Sequence, residues 1–124
     1  MPDGAIPRFD SVVLDCPDPA ALAGFYGRLL DWPLPGGDAD DDPDVITLDP
    51  PGGGTAIGFH RAAGFVAPTW PAADVQQQLH LDLFVDDIDA AHARAVGIGA
   101  RHLDTQARFR VYADPAGHPF CLCW

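Results

Sequence analysis

In "SVVLDC" apolar and polar positions alternate, so Val12, Leu14 and Cys16 share one side of a predicted strand while Ser11, Val13 and Asp15 share the other. The period then changes. Asp18 reads as an N-cap with Pro19 at the first helical position, and Leu22, Phe25, Leu29 and Leu30 follow at helical spacing. The same order recurs in "HLDLFVDDIDAAHARAVGIGAR". Leu79, Leu81, Leu83 and Val85 form an apolar row opposite His80, Asp82 and Phe84; Asp87 caps a helix whose buried stripe is Ile88, Ala91, Ala95 and Ile98, and Gly99 ends it. The two segments read as copies of one unit.

Each copy continues into short strands. "DVITLDP" and "TAIGFHR" follow the first helix; "RFRVYA" and "PFCLCW" follow the second and are joined by an Asp-Pro-Ala-Gly turn. A strand, a helix and two or three strands, repeated, predict an α+β domain. Between the copies, "AAGFVAPTWPAADVQQQ" is broken by Pro68 and Pro71, with Phe65 and Trp70 read as anchors that pin it to the body.

Four strands agree on two faces. Ile57 and Phe59 oppose Gly58 and His60, and Phe120, Leu122 and Trp124 oppose Cys121 and Cys123, as the apolar rows of "SVVLDC" and "HLDLFV" oppose their polar ones. The second face carries small or chemically capable residues rather than the long charged ones of a plain solvent face. It is expected to line a ligand cavity through Ser11, Asp15, Gly58, His60, His80, Asp82, Cys121 and Cys123.

Composition narrows the chemistry. The 124 residues are 48% hydrophobic, enough for one domain with a core, and the charged residues are seven Arg and eighteen Asp without Lys or Glu, giving a net charge of −11. Nucleic acid and anionic membranes are therefore excluded as partners, and no glutamate is present to act as base or metal ligand. No apolar run approaches the roughly 18 residues of a membrane span and "MPDGAIPRFD" lacks a signal-peptide layout, so a cytoplasmic location is expected. Cys121 and Cys123, two apart on one strand, sit near the upper limit of disulfide geometry at about 6.6 Å between Cα atoms and read as reduced thiols. "DADDDPD", Asp38 to Asp44, has Pro43 where a calcium loop needs glycine and reads as a solvated connection.

"SVVLDCPDPAALAGFYGRLLDW", "QLHLDLFVDDIDAA" and "ADPAGHPFCLCW" together resemble the vicinal oxygen chelate superfamily, the group of glyoxalase I, bleomycin-resistance proteins and extradiol dioxygenases. The resemblance implies the glyoxalase/bleomycin resistance fold: two βαβββ modules forming a curved mixed sheet around a cleft, commonly in dimers. Module one would span about residues 8–61, the connecting segment 62–77 and module two 78–124, in a single domain over 1–124. Metal-dependent members place one ligand on each of four strands, and those positions fall on Ser11, near Gly58, on His80 and on Cys121. Only His80 keeps the family's residue type. A rearranged set of His60, His80, Cys121 and Cys123 would offer nitrogen and sulfur donors suited to zinc.

The expectation is therefore a metal-independent small-molecule binding protein, a homodimer with no cofactor and no metal, whose acidic cleft sequesters a cationic or aromatic compound. The alternative is a glyoxalase-like lyase or isomerase with a degenerate or rearranged metal site, or a metal-free acid/base catalyst using His80 and Asp82. A third reading makes the cleft a partner or regulatory surface. Cys121 and Cys123 are expected to be neutral wall residues, and His92, His102 and His118 to have surface or packing roles.

Overall fold

The computed structural model describes residues 3–35 and 43–124, so Asp38 to Asp42 of the acidic run lie outside it. Asp44, at the end of that run, accepts a charged hydrogen bond from Arg61 Nε at 3.2 Å.

Strand β1 (Ser11–Cys16) leads into helix α1 (Pro19–Leu30), followed by β2 (Val45–Leu48) and β3 (Ala56–Arg61). Then β4 (Leu81–Phe84) leads into α2 (Ile88–Gly97), followed by β5 (Arg101–Thr105), β6 (Phe109–Ala113) and β7 (Pro119–Cys123). The strands form two mixed sheets, ordered β1-β3-β2 and β4-β7-β6-β5, with β1–β3 and β4–β7 parallel. The chain is thus α+β, with the helix-after-first-strand unit repeated. Among the described residues the first unit has two strands after its helix and the second has three.

Both helices begin as their caps predict. Asp18 Oδ1 accepts from Ala21 N at 3.2 Å and Asp87 Oδ1 from Ala90 N at 3.1 Å, each satisfying an otherwise orphan donor of the first turn. Gly99, at φ +117°, makes the left-handed turn after α2 that an L side chain resists.

One buried cluster joins the two sheets through the helices. It includes Leu14 and Cys16 of β1, Leu22, Phe25 and Tyr26 of α1, Phe59 of β3, Ala95 of α2, and Tyr112, Phe120 and Leu122 of the second sheet. Tyr26 is its centre: stacked on Phe59 at 5.7 Å, edge-on to Phe120 at 6.2 Å, and donating to Asp114 Oδ2 at 2.7 Å. A helix of the first unit is therefore locked into the β6–β7 turn of the second.

One expectation needs correction. β4 starts at Leu81, so Leu79 and His80 precede the strand and Leu79 is exposed rather than part of a buried row. The parallel register places Leu81 beside Phe120, and the next residue back on β7 is Pro119, which has no N–H to extend the ladder. Each of the two expected modules contributes its own mixed sheet. β5 escaped the sequence pattern because "RHLDT" is a polar, largely exposed edge strand with a bulge between His102 and Asp104. Among the described residues, no helix is long and apolar enough to cross a membrane.

Candidate functional site

With the helices packed on one side, the other side of both sheets is open. Val13, Asp15 and His60 are exposed on the first sheet, and Asp82 and Phe84 on the second.

On the second sheet, the parallel register sets Asp82 beside Cys121. His80, just before β4, aims Nε2 at Asp82 Oδ1, 3.2 Å away, while its Nδ1 faces Gln77 Oε1 at 3.2 Å. Trp70 stacks flat on the imidazole at 4.9 Å between ring centres and 10° between planes. One donor atom each from His80, Asp82 and Cys121 lies within 4.8 Å of the others. Burial, reinforced by the Asp82 charge, pushes the Cys121 thiol up to about 12, and burial followed by Asp82 also raises that of Cys123. Both thiols therefore stay protonated at neutral pH, the poorly nucleophilic form. Cys123 lies on the same open face, in register with Phe84, and is half-buried.

On the first sheet, β1 and β3 set Asp15 beside His60, with Nδ1 and Oδ1 3.6 Å apart, too long for a firm hydrogen bond. Ser11 pairs with Ala56 at the start of the same ladder and Val13 with Gly58. A Cβ at Gly58 would stand 3.1 Å from Val13 Cγ2, so the valine already fills the place a longer residue there would use.

The eight expected cavity residues thus fall into two groups: His80, Asp82 and Cys121 converge, with Cys123 further along, and Asp15 and His60 pair on the other sheet, with Ser11 and Gly58 nearby. The anchors do more than expected. Trp70 lands on His80, and Phe65 packs against His118 at 5.1 Å. His118 itself was missed as an inward group: its Nε2 lies 2.6 Å from the Asp15 carbonyl oxygen, to which it donates. The signal for it was its place in the Asp-Pro-Ala-Gly-His turn, whose Asp114 Oδ1 takes the Ala116 and His118 N–H groups and so aims the histidine. His92 and His102 have the packing role expected, both against Tyr112.

The four positions that would carry metal ligands in the resembling enzymes do not fit a metal here. Gly58 has no donor and Val13 occupies its space, which removes one of the four ligands that arrangement needs. The donors that do converge come from one sheet only, and neither His60 nor Cys123 is in that group.

Residues 11–123 match the family described as glyoxalase-like domain. Among solved structures, a possible glyoxalase from Bacillus cereus is similar at a TM-score of 0.69 and 11% identity, over 96% of this chain and 100% of that one. A glyoxalase/bleomycin resistance protein/dioxygenase family enzyme from Burkholderia phytofirmans gives 0.69 and 17%, over 91% and 94%. A glyoxalase-related enzyme from Fulvimarina pelagi gives 0.66 and 18%, over 95% and 88%. At such identities the likeness is one of fold. No curated protein matches the chain.

Proposed function

The chain belongs to the glyoxalase-like domain family, within the vicinal oxygen chelate superfamily, and from that premise we propose that it is a metal-independent small-molecule binding protein that sequesters a cationic or aromatic compound in an acidic cleft. The observation that carries this reading is the pair of open-face carboxylates, Asp15 and Asp82, whose side chains are 61% and 65% exposed and each of which has an imidazole, but no arginine ion pair, beside it among the described residues. A protein of net charge −11 concentrates cations at such a face and repels anions. Ser11, Gly58, Cys121 and Cys123 contribute small, uncharged wall beside His60 and His80. The aromatic component is Trp70, whose ring already accepts a flat partner in His80.

Against the lyase or isomerase alternative, Gly58 supplies no ligand at one of the four positions, and the neutral thiols supply no nucleophile. In this reading the protein acts as a cytoplasmic homodimer, a second copy closing the open face.

The test is thermal unfolding against matched aromatic amines, alcohols and carboxylates, with mass spectrometry of the recovered compounds. An amine at one hundred times its dissociation constant should stabilise the protein by about 2.7 kcal/mol, raising Tm by several degrees, and be recovered unchanged. Preference for the carboxylates, or catalytic conversion of a bound compound, would refute the proposal. Elemental analysis of untagged protein is expected to find less than one zinc, iron, nickel or manganese per chain.

A further inference from the structure

A hollow of about 310 Å³ opens between β1, the connecting segment and the β6–β7 turn. Its walls are Val13 and Asp15 of β1, Phe65 and Gln76 of the connecting segment, Leu79, and His118 of the turn. That volume is at the small end of ligand pockets, and the lining is the usual mixture of apolar wall with a few polar groups.

The "QQQ" run explains how the connecting segment serves two places at once. Gln76 and Gln78 line this hollow, while Gln77 between them turns away to hold His80. The hollow is therefore separate from the His80, Asp82 and Cys121 group. His118 is a fixed wall, tied through Nε2 to the Asp15 carbonyl at 2.6 Å and covered by Phe65.

Among the described residues, Asp15 is the only carboxylate on the lining, and no arginine lines it. Its Oδ1 faces His60 Nδ1 loosely at 3.6 Å, and its other carboxylate oxygen has no partner among the described residues. A guanidinium recognised at full strength takes both oxygens of a carboxylate in a fork, whereas an ammonium needs one. Of the residues that line the hollow with Asp15, Val13, Phe65 and Leu79 are hydrocarbon, and the Phe65 ring adds an attractive face for a cation.

We propose that this hollow binds the ammonium end of a compact, apolar amine, with Asp15 as its counter-ion and Val13, Phe65 and Leu79 around its hydrocarbon body. The assignment rests on the reading of the protein as a binder of cationic compounds and gives that binding a place and a ligand class.

Phenethylamine is the probe, titrated at pH 7.5 into ¹⁵N-labelled protein and followed by amide shifts. The expected shifts fall on Val13, Asp15, Phe65, Gln76 and Leu79. Asp15→Asn should weaken binding at least tenfold, the charge-matched and exposed Asp49→Asn should leave it unchanged, and 3-phenylpropionate should give no shifts at these sites. If phenethylamine shifts the amides around His80 and Asp82 instead, or binds Asp15→Asn as tightly as wild type, this site is wrong while the binding-protein reading stands. If phenethylamine binds nowhere but other amines of the thermal panel do, the assignment falls alone; if no amine binds anywhere, both fall.

Discussion

Tyr26 and Asp114 hold a hydrogen bond of 2.7 Å inside the core, between helix α1 and a turn almost at the other end of the chain. Asp114 is buried, and loss of hydration raises its carboxyl above the usual range even though Tyr26, His118 and two backbone N–H groups pull it down. The sign follows from linkage. A raised folded-state value means that the protonated form is the better fit, so this group's contribution is complete below the unfolded carboxyl value and is lost as pH rises through the folded one. Asn keeps an oxygen for the two N–H groups of the turn and carries no charge. In urea unfolding, the stability of Asp114→Asn relative to wild type should therefore improve as pH is raised from 3 to 6. Tyr26→Phe leaves a carboxylate oxygen buried without its donor and should cost about 1–3 kcal/mol at pH 7. A wild-type-like midpoint for Tyr26→Phe, or a pH-independent difference for Asp114→Asn, would contradict this account.

The connecting segment is the element that joins the two halves of the candidate site. Thr69 and Val75 close its loop by hydrogen bonds between Thr69 N and Val75 O at 2.9 Å and between Val75 N and Thr69 Oγ1 at 2.8 Å, and this presents Trp70 to His80. His80 in turn lies beside Asp82 and the buried Cys121. Iodoacetamide at pH 8 should accordingly modify Cys121 more slowly than half-buried Cys123, and Trp70→Ala should speed Cys121 several-fold by freeing the imidazole. Asp82→Asn should lower the Cys121 value only in part, because burial is the larger cause. Peptide mass spectrometry of a time course reads all three outcomes. The elements themselves were legible where burial is one-sided: the alternation around Leu14 and Cys16 and the caps Asp18 and Asp87 follow directly from period and local hydrogen bonding. β5 was not, since an exposed edge strand has no face to reveal. For the site, the side of each strand was readable from alternation, which gave Asp82 and Cys121 a common face. What lay beyond reach was the pairing that seats Trp70 on His80 and His118 on Asp15, because a side-chain contact made through a loop or between distant parts of the chain leaves no local period.

At the scale of the whole molecule, two properties oppose each other. The open face presents Phe84 at 76% and Val13 at 52% exposure, apolar surface that a second copy would cover if the protein is the homodimer proposed above. Yet each copy carries a net charge of −11, and like charges on two chains resist association. Burial of apolar surface is insensitive to moderate salt, whereas the repulsion is screened over a Debye length that falls from about 30 Å at 0.01 M to about 8 Å at 0.15 M. Dimerisation should therefore tighten as sodium chloride is raised over that range, the reverse of an association built on ion pairs. Phe84→Asp removes apolar contact and places two further carboxylates against each other across a twofold interface, so it should leave the protein monomeric at both salt concentrations with its fold intact. Sedimentation equilibrium with circular dichroism on both proteins measures this. A wild-type chain that stays monomeric at every concentration and salt would show that the apolar face is covered by something other than a second copy.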